Sequence, residues 1–201
     1  MEGKYISELD TVWEKAQKYA DSGNRDKAVQ TYNYILQRYA DVAPAVEYAH
    51  VYLAILYIDL MEFASAETHI REAINLRPDK AVYHSFLGEI FLKQKQWDKA
   101  IPEYEITCAA YPDNGDYVHL LGCAMCSSGK TDAGLCFLQK ACRLTPENPN
   151  VFVDTALSFL SSGNLSKAKE YAEEALRLDL DSSRAKQAVQ KVLNASRETA
   201  I

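Results

Sequence analysis

The sequence predicts an all-α fold, in which five helix pairs stack into a solenoid that a C-terminal helix closes. The first observation is an internal repeat: four windows of 34 residues, starting at residues 47, 81, 115 and 149, align without gaps. A fifth window, residues 9–42, fits upstream after an offset of four residues, 43–46. The second observation is that each window contains two stretches with the 3.6-residue apolar period of an amphipathic helix.

Two columns of this alignment contain only small residues. Window position 8 holds Ala16, Ala54, Gly88, Gly122 and Ala156. Position 20 holds Ala28, Ala66, Ala100, Gly134 and Ala168. Small residues at these positions let the two helices of a pair approach closely, and a large residue at position 11 fills the space beside that contact.

Other columns predict where the helices end. Position 15 holds a glycine in three windows, Gly23, Gly129 and Gly163, which predicts a positive φ at the end of the first helix. Position 18 holds four residues expected to be N-caps of the second helix: Asp26, Asp98, Asp132 and Ser166. A proline at position 32 of the three central windows stops that helix. After residue 182 a one-sided apolar stripe predicts a capping helix over 183–197, which covers the last apolar face of an open stack.

This pattern resembles the tetratricopeptide repeat (TPR) family. The third window matches the family motif best, with His84, Leu87, Gly88, Phe91, Ala100, Tyr104, Thr107 and Pro112 at the motif positions. The first window departs from the motif at Lys15 and Ala40, and the fifth at Thr155, Ala172 and Leu180. The resemblance implies a right-handed superhelical solenoid of five TPR helix-turn-helix repeats (9–42, 47–80, 81–114, 115–148, 149–182) and the capping helix, as a single domain over 1–201.

The resemblance also implies protein binding, because the first helices of TPR repeats line a concave groove that holds peptides or helices. The groove positions of this chain are rich in apolar and acidic residues. We expect a peptide-binding groove that includes Asp10, Trp13, Tyr48, Tyr52, Ile55, Asp59, Phe86, Glu89, Asp116 and His119. The Lys, Asn and Arg residues with which chaperone-binding TPR proteins hold a C-terminal carboxylate are missing from these positions. The expected partner is another protein, bound through an apolar helix or extended segment with basic flanks.

Two other uses of this surface stay open. The chain can associate with a second copy of itself through the same face, as a homo-oligomer, or the apolar groove residues can simply pack against neighbouring helices. Trp13 is the residue for which a partner contact and a packing role are most evenly balanced.

Composition and charge exclude several classes of function. The net charge of −6 argues against nucleic acid as a partner, since phosphate binding needs an excess of cations. No run of about 18 apolar residues is present, so membrane insertion is not expected. The start, MEGKYISELD, lacks the apolar segment of a secretory signal. Five cysteines, none before Cys108, do not fit a disulfide framework and favour a reducing, cytoplasmic location.

One cluster suggests chemistry. His119, Cys123 and Cys126 are spaced i, i+4, i+7, which places them on one face of a helix, and these residue types bind zinc. The sequence shows no fourth ligand, so packing is the favoured interpretation and neither a metal nor a cofactor is expected. No nucleophile motif or phosphate loop is present. We therefore expect a non-enzymatic protein, with an enzyme or a metal or redox protein using this cluster as the alternative.

Overall fold

The computed structural model describes residues 2–198, with the side chains of residues 7–197, and in this range it contains eleven α-helices and no strand. The predicted all-α repeat fold is confirmed. The helices are α1 (Glu2–Asp21), α2 (Arg25–Arg38), α3 (Ala43–Asp59), α4 (Phe63–Leu76), α5 (Ala81–Lys93), α6 (Trp97–Ala110), α7 (Gly115–Ser127), α8 (Thr131–Leu144), α9 (Pro149–Ser161), α10 (Leu165–Leu178) and α11 (Ser183–Glu198). No helix of the described part of the chain is long and apolar enough to cross a membrane.

The helix boundaries follow the 34-residue period of the sequence. The second helix of each pair begins at window position 17, at Arg25, Phe63, Trp97, Thr131 and Leu165. The first helices α5, α7 and α9 begin at window position 1, whereas α1 and α3 begin before their windows, at Glu2 and Ala43. Helix α3 has 17 residues and α5 has 13. The offset of four residues is thus an additional first turn of α3, and Pro44 lies in that turn, where a proline costs no helical hydrogen bond.

The backbone at window position 15 has a positive φ in every repeat. The predicted glycines have φ values of 74° at Gly23, 87° at Gly129 and 81° at Gly163. The same position holds Met61 and Lys95 in the two other repeats, with φ values of 61° and 59°. The turn is therefore a property of the repeat, and two side chains adopt a conformation that ordinarily suits glycine.

The prediction that position 18 caps the second helices was wrong. The N-cap lies at position 16, where the Asn24 side chain accepts a hydrogen bond from the Lys27 backbone N–H and the Asn164 side chain accepts one from that of Lys167. Asp26 and the other acidic residues of position 18 lie in the first turn of the helix, where a negative charge is stabilised by the helix dipole.

The chain divides into two compact units, Met1–Gln94 (the first unit) and Lys95–Ile201 (the second unit). In the first unit the small residues of positions 8 and 20 are fully buried, together with the large side chains Tyr32, Ile35 and Leu53. A buried carboxylate, Glu47, accepts a hydrogen bond from the Tyr83 hydroxyl and lies 3.5 Å from the Arg77 guanidinium. Both partners stabilise a charge that would be costly to bury alone.

In the second unit two glycines bring α7 and α8 into backbone contact. A Cβ atom at Gly134 would lie 2.5 Å from the Cys126 sulfur, and one at Gly122 would lie 3.0 Å from the Gly134 carbonyl oxygen. At the end of this unit α11 buries Ala185, Ala188 and Val192, so it covers the apolar face of the last helix pair as predicted.

Candidate functional site

The residues predicted to form a binding groove fall in both units. Asp10, Trp13, Tyr48, Tyr52, Ile55, Asp59, Phe86 and Glu89 lie in the first unit, and Asp116 and His119 lie in the second. Each unit therefore carries its own set of predicted residues.

In the first unit, part of the predicted surface is an apolar pocket between α1 and α3. The pocket has a volume of about 260 Å³ and is lined by Leu9, Asp10, Trp13, Val42, Pro44, Ala45 and Tyr48. Tyr48 is 46% exposed, and Asp10 is exposed. Pro44 and Ala45 come from the additional turn of α3, so the four-residue offset in the repeat builds one wall of this pocket.

Three aromatic rings pack together beside this pocket. The Trp13 ring meets Tyr32 and Tyr52 edge-on, at centroid distances of 5.4 and 5.6 Å, and the two tyrosines are stacked at 5.4 Å. Tyr32 is fully buried, and burial raises the pKa of its hydroxyl. Trp13 therefore packs against the core and also lines the pocket. Tyr32 belongs to a second helix and was not among the predicted residues.

The other groove residues of the first unit differ in environment. Ile55 and Phe86 are half-buried. The Asp59 carboxylate lies 3.7 Å from the Arg25 guanidinium, and the Glu89 carboxylate lies 3.4 Å from the Lys93 ammonium group. These two acids have basic neighbours, so the acidic character of the surface is strongest at Asp10, which borders the pocket.

In the second unit the cluster contains two of the predicted cysteine and histidine residues and one residue that was not predicted. The His119 Nε2 atom lies 3.3 Å from the Cys123 sulfur and 3.2 Å from Oδ2 of Asp154. Cys126 takes no part, because its thiol points to the Thr131 carbonyl oxygen at 3.8 Å. The expected set of His119, Cys123 and Cys126 is corrected to His119, Cys123 and Asp154.

Asp154 joins the cluster because of the repeat geometry. His119 is at window position 5, and Asp154 is at position 6 of the following window. Trp13 and Tyr52 have the same relation in the first unit, and their rings are also in contact. The alignment of the windows therefore contained the signal, since a position 5 side chain meets the position 6 side chain of the next repeat.

An open pocket with polar and apolar walls adjoins this cluster. It has a volume of about 330 Å³ and is lined by Cys123, Cys126, Ser127, Thr131, Asp154, Leu157, Ser158 and Ser161. Burial raises the pKa of the Cys123 thiol, and the nearby Asp154 carboxylate raises it further. A thiol with a raised pKa is a poor nucleophile at neutral pH. The remaining predicted residue, Asp116, is exposed in the first turn of α7.

A pair of histidines lies elsewhere in the first unit. Nδ1 of His50 and Nδ1 of His69 are 3.0 Å apart, and the His69 ring stacks on Tyr57 at 5.5 Å. Burial lowers the pKa of both histidines, against an opposing effect of the Glu72 carboxylate. One ring donates and the other accepts, so the accepting histidine is neutral.

The helix pairs and their repeat positions define the class of protein. Tetratricopeptide repeat family models match residues 53–115 and 156–182. The chain belongs to the tetratricopeptide repeat family, and its repeats are those of a protein–protein interaction scaffold.

Among curated proteins, the chain is 28% identical over 102 residues to the human E3 SUMO-protein ligase RanBP2. That match covers 50% of this chain and 3% of RanBP2, so it concerns a small part of a much larger protein.

Several solved structures share the fold. MamA 41-end from Desulfovibrio magneticus RS-1 has a TM-score of 0.78 at 20% identity, with 87% of this chain and 97% of that chain covered. YrrB, described as a TPR protein with an unusual peptide-binding site, has a TM-score of 0.71 at 17% identity, with 87% and 88% covered. The TM-scores of 0.78 and 0.71 show a common fold, and identities of 20% and 17% show nothing beyond the fold.

Proposed function

We propose that this chain is a non-enzymatic scaffold that binds an apolar helix or extended segment of another protein, with basic flanks, on the first-helix surface of the first unit. The observation that carries the proposal is the apolar pocket lined by Trp13 and Tyr48, with Asp10 at its border. The proposal includes a cytoplasmic location and excludes nucleic acid as the partner, as expected from the cysteine pattern and the net charge of −6.

The pocket offers what an apolar side chain needs. Its volume of about 260 Å³ accommodates a large aliphatic or aromatic residue of a partner. The contacts with Tyr32 and Tyr52 already fix the orientation of the Trp13 ring. A partner that covers this ring therefore causes little further loss of side-chain entropy. Tyr48 adds an exposed ring, and aromatic side chains in such positions often dominate the binding energy.

The charges near the pocket favour a basic partner. Glu8, Asp10 and Glu14 are exposed on α1, while Lys15 of the same helix lies over the Tyr19 ring at 5.9 Å. Exposed acids of this kind steer a cationic segment into place and contribute little to the strength of the final complex. A peptide is also the ligand type in the description of YrrB, with which this chain shares its fold.

A peptide-display selection tests the proposal. The library presents short apolar helices flanked either by Lys and Arg or by Asp and Glu, and we expect the selected peptides to be basic-flanked. The Tyr48→Ala variant should then bind a selected peptide at least tenfold more weakly, a change of about 1.4 kcal/mol, as measured by calorimetry or fluorescence anisotropy.

The matched control is Tyr34→Ala, because Tyr34 is 48% exposed and Tyr48 is 46% exposed, and Tyr34 lies on α2, away from the pocket. Unchanged binding by Tyr48→Ala together with loss in Tyr34→Ala would place the site on the second-helix face and contradict the proposal.

Raising the salt concentration should slow association more than it speeds dissociation, and Asp10→Asn should weaken this salt effect.

Self-association through the same surface is the second candidate, favoured by the exposed Tyr48 ring. Sedimentation velocity over a range of concentrations distinguishes the two. A dimer that Tyr48→Ala dissociates would favour an oligomeric role, whereas a monomer that binds the selected peptide supports the scaffold.

A further inference from the structure

We propose that the second unit binds a zinc ion through the His119 Nε2, Cys123 Sγ and Asp154 carboxylate atoms. These three ligand atoms come from two helices, α7 and α9, and all lie within 4.8 Å of one another. The sequence alone favoured packing for this cluster because it showed no fourth ligand, and the structure brings in Asp154 of α9 as the third candidate ligand in place of Cys126.

The distances from the histidine are close to those between ligands of one ion. Zinc bonds are about 2.0–2.3 Å long, so two ligands of a tetrahedral zinc ion lie about 3.3–3.6 Å apart. The His119 nitrogen is 3.3 Å from the Cys123 sulfur and 3.2 Å from the Asp154 oxygen. The first distance lies within this range and the second just below it, so a bound zinc ion requires the side chains to move slightly apart.

The arrangement does not fit a nucleophile relay. In such a relay the histidine receives the nucleophile's proton on one ring nitrogen and is oriented by a carboxylate on the other. Here the thiol and the carboxylate both face Nε2 of His119. Convergence of three donor atoms on one point is the arrangement that a cation requires.

The donor set selects the metal by its chemistry. A thiolate and an imidazole are ligands for zinc and related transition metals, whereas magnesium and calcium take oxygen ligands. The thiolate and the carboxylate together carry two negative charges, and the Arg184 guanidinium bound to the carboxylate carries one positive charge, so this half-buried site keeps a net negative charge that favours a divalent ion. Binding replaces the thiol proton of Cys123, which is released to solvent.

A residue of the C-terminal helix positions the carboxylate. The Arg184 guanidinium donates to Oδ1 of Asp154 at 2.7 Å and to the Asn150 side-chain oxygen at 2.8 Å. This leaves Oδ2 of Asp154 directed at His119. Loss of a side chain that orients a metal ligand by hydrogen bonding commonly lowers the affinity for the metal by about 10–100-fold.

Three protein ligands leave one position of a tetrahedral ion open. Cys123 and Asp154 both line the pocket of about 330 Å³, so a water molecule in this pocket can occupy the fourth position. The site thus has the ligand number of zinc sites that exchange a ligand, and it differs from closed structural sites.

Metal titration of the 201-residue chain tests the proposal. After treatment with a chelator and its removal, the protein is titrated with Co²⁺ and, in competition with a chromophoric chelator, with Zn²⁺. We expect one ion per chain, the visible absorption of tetrahedral cobalt and a near-ultraviolet thiolate-to-cobalt band. Excess zinc should also raise the melting temperature, because the ion binds the folded state.

Variants assign the ligands. Cys123→Ala, His119→Gln and Asp154→Asn should each lower the affinity for zinc at least tenfold, and Arg184→Gln should lower it by about 10–100-fold. Cys126→Ala and Cys136→Ala are the matched controls, the first lining the same pocket and the second exposed, and both should bind as the parent chain does.

The absence of stoichiometric uptake would overturn the proposal and leave a cluster held by hydrogen bonds alone. A cobalt spectrum without a thiolate band, or binding that survives Cys123→Ala, would overturn it as well. If Cys123→Ala fails to fold, Cys123→Ser provides the same test, since circular dichroism and the melting temperature without metal identify folded variants. The outcome is independent of peptide binding, which is assigned to the first unit.

Discussion

The two units build the same contact with different chemistry. In the first unit, position 5 and position 6 of the next repeat are Trp13 and Tyr52, whose rings meet at 5.6 Å beside an apolar pocket. In the second unit the same positions are His119 and Asp154, which lie 3.2 Å apart beside a pocket with polar and apolar walls. The repeat fixes the backbone and the neighbours of each position, and the side chains at these positions then decide whether the surface presents apolar or polar groups.

The packing under the two pockets also differs. The small positions of α1–α4 hold alanines, whereas α7 and α8 meet through Gly122 and Gly134. Helices α7 and α8 are therefore too close together to accommodate a larger side chain at either glycine.

The largest expected effect tests this close approach. Gly122→Leu should lower the free energy of unfolding by about 3 kcal/mol or more, because even a Cβ atom at this position would lie 2.9 Å from the Leu138 side chain and 3.0 Å from backbone atoms. Urea denaturation measures the change. Ala133→Leu, on the exposed face of α8, is the control and should be nearly neutral. Equal stability of the two variants would show that α7 and α8 are not in backbone contact.

A second test compares the position 5 residues directly. Trp13→Ala should cost about 2–3 kcal/mol, because it removes the ring that packs on Tyr32 and Tyr52. His119→Ala, measured without metal, should cost about 1 kcal/mol, because it removes the contacts of His119 with Cys123 and Asp154 and no packed aromatic cluster. The order of the two losses in urea denaturation is the readout, and the reverse order would contradict the comparison.

The third prediction concerns pH and the histidines of the first unit. Because burial lowers the pKa of His50 and His69 in the folded chain, the unfolded chain binds more protons as the pH falls below the ordinary value of 6.5. Stability should therefore be unaffected above that pH and should decline below it, by at most about 1.4 kcal/mol per pH unit for each proton taken up.

The His50→Gln/His69→Gln double variant should lose this part of the pH dependence, whereas His84→Gln should keep it. Urea denaturation at a series of pH values measures the free energy of unfolding of each variant. The range is about pH 5 to pH 8, because histidines titrate in this range. A double variant whose stability still declines like that of the parent would assign the effect to other groups.

The smallest expected effect concerns the turn at window position 15, where each unit has one residue other than glycine with a positive φ. Met61→Gly and Lys95→Gly should each raise stability by about 0.5–1 kcal/mol, because both residues have a positive φ that glycine adopts without strain. Met61 is 73% exposed, so little packing is lost there. Thermal unfolding provides the measurement, and a destabilised Met61→Gly variant would show that the side chain contributes more than the turn costs.

Much of the fold could be predicted because the repeat averages out local ambiguity. The small positions 8 and 20 and the glycines of position 15 identified the helix pairs and their turns. The caps could not be predicted as reliably, because Asp26 is favourable both as an N-cap and in the first turn, and the choice depends on where the chain leaves the preceding turn.

The candidate sites were only partly predictable. Trp13 and Tyr48 were identified from the helix positions that face the groove, but Tyr32 was not, since it lies on a second helix. Spacing along one helix suggested Cys126 as a partner of His119, whereas the structure brings Asp154 from the next repeat. Contacts between repeats are invisible to a search that considers each helix alone.

The additional turn of α3 also limits what the first unit can accept. At 1.5 Å per residue, four extra residues extend this helix by about 6 Å relative to the start of α5. The added turn contributes Pro44 and Ala45 to the wall of the apolar pocket. In the proposed complex, a segment that crosses α1 and α3 would meet this turn, so we expect partners to be selected by length as well as by composition.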